Sequence, residues 1–506
     1  MLLIIIILTC GLAFGKKDIM GLDRVDTDNI VAESITREKL GNALSGIAGP
    51  SSLPALKRLC GFGYDELPNS QTQGWGTNPG GFNAAGWTAD SGEGTLSVDS
   101  SGPHGSHGLK IERGNAGNLD CHCTLPQSAT IRGGFEFWLK INTTANLKNM
   151  SIYLYEDSSN LSNKHVFTPT SYPGSFQKSD GNWVRCVCPR DTFVVSGSPT
   201  EWGTNATKTV QKIRIFAEST GAIEITYADV MWQEAPKAGV IIGFDGPQMS
   251  VLTRAYPDMV ARGWPGVAWT VASLVGTGSG ENEYLSAADL TTLNDAGWDI
   301  CSHGWDTTIF NGSTSVITIR NALEKASKYL NRAGYRGAVG HSWMGNAGDS
   351  ITSNTGGIVE DYFLFGRGSI DRDEWGGSGS SALSQKSSMW VPWDWWSLPY
   401  ITIHGDSLTD FSAGLEAKLD QAVRDRHVAN IYTHQVHDSP DAGDISTGFW
   451  ADLLTWLDTN VNNGNVEILT PTQWYNRIVG RPGTVRFGYD GAMYQIDGSA
   501  TARRAI

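Results

Sequence analysis

The sequence predicts a multidomain chain in which a β-sandwich is followed by a distorted (β/α) barrel, and three observations carry that reading. At 506 residues the chain is longer than one ordinary hydrophobic core organises, so two or three domains are expected. Over residues 61–235, short alternating runs are separated by Gly, Asn, Ser and Pro clusters, the spacing of a sandwich. From residue 240 strands alternate with helical stretches, which implies βα units around a parallel sheet. A hydrophobic content of 40% with 18% charged residues suits a globular chain.

Residues 1–60 form a hydrophobic and attachment segment. The apolar stretch Leu2 to Phe14 is shorter than the roughly 20 residues a membrane-spanning helix needs. As a signal peptide it has an apolar core and a cleavable Ala13-Phe14-Gly15, but no Lys or Arg ahead of it. Cys10 suggests a lipoprotein signal, against which Thr9 is a poor preceding residue. A removed signal and an ordered plug that anchors the chain in a larger assembly both stay open.

Residues 61–235 read as strands in "GFEFWLKI", "MSIYLYED", "NWVRCVCP", "VQKIRIFAE" and "AIEITYADVMW". The pairs Cys121/Cys123 and Cys186/Cys188 each share a strand face, because i and i+2 point the same way. Adjacent strands would bring four sulfurs together as two disulfides or a four-thiolate zinc site; buried core thiols are the third reading. "EAPKAG" then reads as a linker.

Residues 239–480 carry eight candidate strands, at 240–244, 266–271, 298–302, 335–340, 361–366, 400–403, 430–433 and 466–469. "TIRNALEKASKYLNRAG" and "TGFWADLLTWLDTNV" are the clearest helices, and the tail 481–506 reads as one or two hairpins. Asp245 closes the first strand; His303, His341, His404 and His434 with His437 follow later ones. In a βα barrel those strand ends open onto one face, so an acid–base or metal site is expected there. Asp245-Gly246 is also an ordinary turn dipeptide. A net charge of −14 argues against nucleic acid as the partner, since phosphate binding needs a basic footprint.

"GVIIGFDGP", "AGWDICSHGWDT" and "NIYTHQVHDSP", in this order and spacing, resemble the polysaccharide deacetylase (NodB-homology) domain of the family 4 carbohydrate esterases. The resemblance implies a NodB-type barrel and a divalent metal, usually zinc, that polarises an acetyl carbonyl and activates water. It implies Asp245 as base and ligand, His303 as ligand, and His434 as the acid, with His437 and Asp438 beside it. The chain departs from the family twice. A single Asp245 followed by Gly246 replaces a tandem Asp-Asp, and Thr307 stands where the i+4 partner of His303 would be a second His. Asp306 or His341 would then complete the metal set. Trp305, Trp343 and Trp393 read as core or rim residues or as sugar-stacking rings, and Asp394 as a supporting carboxylate or a helix or turn cap.

The 61–235 region resembles jelly-roll carbohydrate-binding modules in "GNWVRCVCP" and "TYADVMW". "DTDNIVAESITREKLGNA" resembles N-terminal segments of phage tail fibres and tailspikes, which implies a virion tail setting, other tail proteins as partners and a homotrimer. The expected function is therefore a tail spike or fibre that binds a cell-surface polysaccharide and deacetylates it by metal-dependent hydrolysis. Its alternatives are a catalytically inactive receptor-binding protein on the same fold and a secreted bacterial deacetylase or lipoprotein.

Overall fold

The computed structural model describes residues 55–60, 87–99, 108–131, 135–159, 161–168, 181–188, 193–197, 208–234, 237–311, 313–345, 357–368, 395, 398–403, 411–441, 443–479, 484–487, 493–496 and 503–504. Trp393, Asp394, His404 and the apolar N-terminal stretch lie outside the described residues. Among the described residues no helix is long and apolar enough to cross a membrane.

The first region is built of β1 (Ala55–Cys60), β2 (Trp87–Ala89), β3 (Thr95–Asp99), β4 (Gly108–Arg113), β5 (Gly117–Ile131), β6 (Phe135–Ile141), β7 (Leu147–Tyr155), β8 (Lys164–Phe167), β9 (Val184–Cys188), β10 (Val194–Ser196), β11 (Lys208–Ser219) and β12 (Ile223–Glu234). One antiparallel sheet runs β3-β4-β12-β6-β9, with β1 added to β12; the other runs β10-β8-β7-β11-β5-β2. Residues 55–60, which the sequence groups with the attachment segment, are thus a strand of this region. Every second residue points inward, so Leu109, Ile111, Ile223 and Ile225 of one sheet meet Ile213, Ile215, Leu119 and Met150 of the other in a single apolar core. That shared core makes the region a two-layer sandwich.

The expectation of four gathered sulfurs is corrected here. Cys121 and Cys123 lie on β5, whose neighbours are β11 and β2, whereas Cys186 and Cys188 lie on β9 in the other sheet. Cys121 and Cys123 are free thiols in the core. Burial pushes the Cys121 thiol well up and that of Cys123 to about 12, so both are protonated, inert core residues at neutral pH. The side chains of Cys186 and Cys188 lie outside the described residues.

The second region has β13 (Ala238–Asp245), β14 (Val267–Thr270), β15 (Asp299–Ser302), β16 (Gly340–Ser342), β17 (Phe365–Arg367), β18 (Ile401–Thr402), β19 (Val428–Thr433), β20 (Val436–His437), β21 (Ile445–Ser446) and β22 (Val466–Ile468). The sheet order is β17-β16-β15-β14-β13-β19-β18, all parallel, with β22 paired to the start of β13. Just before β18, Gly366 N–H donates to the Trp395 carbonyl at 2.7 Å and Leu398 N–H to the Gly366 carbonyl at 2.9 Å. These bonds bring the two edges of the sheet together, giving the distorted barrel the sequence predicts.

Helices α1 (Tyr256–Ala261), α2 (Ala287–Asp295), α3 (Val316–Ala333), α4 (Phe411–Asp425), α5 (Thr447–Asn462) and α6 (Pro471–Val479) alternate with these strands. All eight residues of β13 are buried, as a strand covered on both faces requires. Val240, Ile242 and Phe244 pack outward with α4 and α5, while Ile241 packs inward with Val267, Trp269, Cys301 and Phe365. The strand expected over 335–340 starts late. Arg336–Val339 form a 3-10 turn, because Arg336 turns back to donate to the Trp298 carbonyl at 2.7 Å. Beyond the barrel, β23 (Thr484–Phe487), β24 (Met493–Ile496) and β25 (Arg503–Arg504) pair antiparallel, as hairpins should.

Candidate functional site

The inward face of the barrel strands, followed to their C-terminal ends, delivers the polar residues. On β13 the inward series Ile241, Gly243 ends at Asp245; after β15, Cys301 leads to His303; on β17, Phe365 leads to Arg367. At the end of β13 the chain turns through Gly246, whose φ of 55° suits glycine and whose N–H donates to the Trp269 carbonyl at 2.8 Å.

Asp245 and Arg367 form a buried ion pair, with Arg367 Nη2 donating to Asp245 Oδ2. Arg367 is fully buried and also donates to Ser342 Oγ, from Nε at 3.0 Å and Nη2 at 2.6 Å. Its guanidinium lies over the rings of Tyr432, Trp269 and Tyr400, with ring centres 4.0, 5.1 and 5.5 Å away. His303 Nε2 is 3.5 Å from the same Asp245 oxygen, while its Nδ1 faces the Ser342 carbonyl at 3.0 Å. A carbonyl only accepts, so Nδ1 carries the hydrogen and Nε2 the lone pair in the neutral ring.

Burial pushes the Asp245 carboxyl up, but Arg367, His303 and His434 outweigh it and leave the group below its ordinary range. Burial lowers His303, with the Asp245 charge opposing, so the ring is neutral near pH 7. The Asp245 charge therefore rests on Arg367 above all.

His434 follows β19, where it acts on Asp245 electrostatically. Its Nδ1 donates to the Gly443 carbonyl at 2.8 Å, which also accepts the His434 backbone N–H at 3.0 Å and Thr433 Oγ at 3.1 Å. Gly443 has φ of 115°, and a Cβ built there would lie 2.6 Å from His434 Nδ1. Only glycine lets the ring dock on that carbonyl.

Several expected residues are placed elsewhere. His341 is on the outward face of β16: its Nδ1 pairs with Ser302 Oγ at 3.1 Å, and its ring packs on Trp343 and Phe363. Period-two alternation thus turns it away from Asp245. Asp306 is exposed, its Oδ1 accepting the Thr308 N–H at 3.0 Å in a local turn. His437 is engaged by Gln435 Oε1 at 2.8 Å and Glu281 Oε2 at 3.2 Å, and Asp438 pairs with Arg254 at 2.9 Å. These two residues clamp the 279–283 turn and do not orient His434. Trp343 is 1% exposed and packs edge-on to Phe310, so it is a core residue and offers no face to a sugar. Trp305 is half-buried with Lys325 Nζ 5.7 Å over its ring. Arg367 and Ser342 were not among the expected site residues. The signal for Arg367 was a charge ending the apolar run "YFLFGR", the same pattern that marks Asp245.

Among the described residues, those at the barrel rim do not fit a three-ligand metal centre. Asp245 and His303 are two suitable donors, and the Nδ1 bond of His303 is the usual orientation of a ligating imidazole. Structural and catalytic zinc sites take at least three protein ligands. Among the described residues, three metal-capable side chains with donor atoms within 4.8 Å of one another occur at Asp90, Glu93 and Asp120, in the sandwich and not in the barrel. There, Asp120 is already held by Arg214.

No protein-family model matches this sequence, and no curated protein matches it. Among solved structures, the chain is similar to a family 11 carbohydrate-binding module from Clostridium thermocellum, solved with a mixed-linked tetrasaccharide, at 16% identity and TM-score 0.23, over 29% of this chain and 89% of that one. It is similar to a Clostridium thermocellum family 4 acetyl xylan esterase solved with a cobalt ion, at 17% identity and TM-score 0.31, over 48% of this chain and 93% of that one. It is also similar to the Streptococcus pyogenes deacetylase PplD, at 14% identity and TM-score 0.23, covering 26% of this chain and about half of that protein's length (55%).

Proposed function

We propose that this chain recognises an acetylated cell-surface polysaccharide, with the barrel as the recognition site on a deacetylase-type scaffold. The observation that carries the reading is convergence. Residues from the three sequence motifs that resemble deacetylases (Asp245, His303 and His434) come to one rim of one barrel, where charge from one acts on another. Recognition is favoured over hydrolysis by the state of Asp245. Its Oδ1 is buried, its Oδ2 is held by Arg367, and a carboxylate pinned in this way is a poor proton acceptor. The N-terminal resemblance extends the reading to a tail spike or fibre that docks on other tail proteins as a trimer, and the sandwich resemblance adds a jelly-roll glycan-binding module.

Hydrolysis is the second reading, favoured by the hydrogen bond that fixes the His434 tautomer. Nε2 of the neutral ring would take a proton from water as the water oxygen attacks the acetyl carbonyl. The same proton would pass to the sugar oxygen or nitrogen as its bond to the acetyl carbon breaks, releasing acetate.

Binding of the full chain to paired native and chemically de-acetylated bacterial polysaccharides, with acetate assayed in parallel, tests both. Recognition predicts affinity at least about tenfold higher for the acetylated form, with no acetate above buffer. Acetate release lost in His434→Gln would establish the second reading instead. Equal or no binding to both forms, without acetate, would sink the proposal.

A further inference from the structure

The structure assigns the place of a divalent cation beside Asp245 to Arg367: the barrel site is built around a fixed guanidinium and does not take a metal ion. Three observations lead there. Asp245 and His303 Nε2 sit 3.5 Å apart in an arrangement that would suit a cation, yet the same Asp245 oxygen is already occupied by Arg367 Nη2. The pair is neutral, so a divalent ion arriving there would find no uncompensated negative charge and would face a guanidinium at hydrogen-bond range of its first ligand.

The unused atoms point the same way. Arg367 Nη1 and Asp245 Oδ1, one on each member of the pair, are buried without a hydrogen-bond partner among the described residues. One donor and one acceptor left on a single ion pair match a neutral molecule with both functions, such as a water or hydroxyl, and a cation would be repelled by the donor. Arg367 is also immobilised, by two bonds to Ser342 Oγ and by the rings of Tyr432, Trp269 and Tyr400, so it does not vacate the position. The two departures read in the sequence agree with this arrangement: the single Asp245 leaves either the base or a ligand of the deacetylase motifs missing, and Thr307 stands where they would supply a second His.

This inference is independent of which polysaccharide is bound, and its test needs no glycan, so either can fail while the other stands. The full chain is incubated with Zn2+ or Co2+, dialysed, and its metal content measured beside Asp245→Asn and His303→Ala. The expected result is that neither substitution changes the metal retained, any bound ion lying outside the barrel. One equivalent in the native chain that is lost in both variants would overturn the proposal. Arg367→Met supplies the opposite test, because removing the guanidinium frees the carboxylate. Cobalt affinity, followed by visible absorption, should rise at least about tenfold. A folded Arg367→Met chain that binds cobalt no better than the native one would also overturn it. Should that variant fail to fold, the metal retained by the native chain beside Asp245→Asn and His303→Ala decides between the two outcomes.

Discussion

His434 and Gly443 show how one backbone atom governs a side chain at the rim. The Gly443 carbonyl takes the His434 ring, the His434 backbone and Thr433 Oγ together, and no Cβ fits between them. Gly443→Ala should therefore displace the imidazole and strain the backbone, costing about 1–3 kcal/mol. Urea denaturation measures the cost and the imidazole NMR shifts report the displacement; unchanged shifts would refute the docking. The Asp245–Arg367 pair has a sharper expectation. Arg367→Met leaves a buried carboxylate uncompensated and should cost about 3–5 kcal/mol. Adding Asp245→Asn should return part of it, with a coupling of about 0.5–3 kcal/mol in a double-mutant cycle. Additive losses would mean that the two charges do not act as a pair. At this scale the sequence was half legible. Asp245, His303 and His434 stood out because each follows an apolar strand, whereas His341 misled because its strand face cannot be read without the register. Arg367 escaped because the apolar run that bears it, though expected as a strand, lies outside the three motifs that drew attention to Asp245, His303 and His434.

At the scale of elements, period is what made the sequence readable. Helix α3 buries Ile319, Leu323, Ala326 and Leu330, spaced on one face, and its ends are written in the sequence as Ser315 and Gly334. Ser315 Oγ accepts the Thr318 N–H at 3.2 Å, and Gly334 closes the helix with φ of 74°. Ser315→Ala should cost about 1 kcal/mol and Leu323→Ala, fully buried, about 2–5 kcal/mol, both read by thermal or urea unfolding. A smaller loss for Leu323 than for Ser315 would contradict the packing. Strand identity was equally plain, but strand neighbours were not. Cys121/Cys123 and Cys186/Cys188 have the alternation of paired strands, and only the chain's long-range topology puts β5 and β9 in different sheets. Alternation is a local property, while sheet order depends on loops whose closure costs little per added residue and leaves many orders open.

At the scale of the whole molecule, buried histidines set the response to acid. Burial lowers His341 well below its ordinary value near 6.5, with His303 and Arg367 adding to the effect, and burial lowers His303 as well. As pH falls through about 6.5, the unfolded chain takes protons at these positions that the folded chain refuses. Stability therefore rises with pH here: it is fully present above 6.5 and is lost progressively below it. Asp245, also lowered, acts with the same sign but only below its ordinary 3.8. Asp299, raised by burial, has the opposite sign, and its contribution is lost as pH rises above the same value. Between pH 7.5 and 5 the two histidines thus contribute a slope toward lower stability in acid. His341→Leu places an apolar side chain against Trp343 and Phe363, where the unpartnered Nε2 now sits. It should flatten the pH dependence of the unfolding free energy from urea titration across that range while leaving that free energy at pH 7.5 within about 1.5 kcal/mol of the native value. A slope unchanged by the substitution would mean that His341 does not hold its neutral form against acid, and that the loss of stability belongs to other groups.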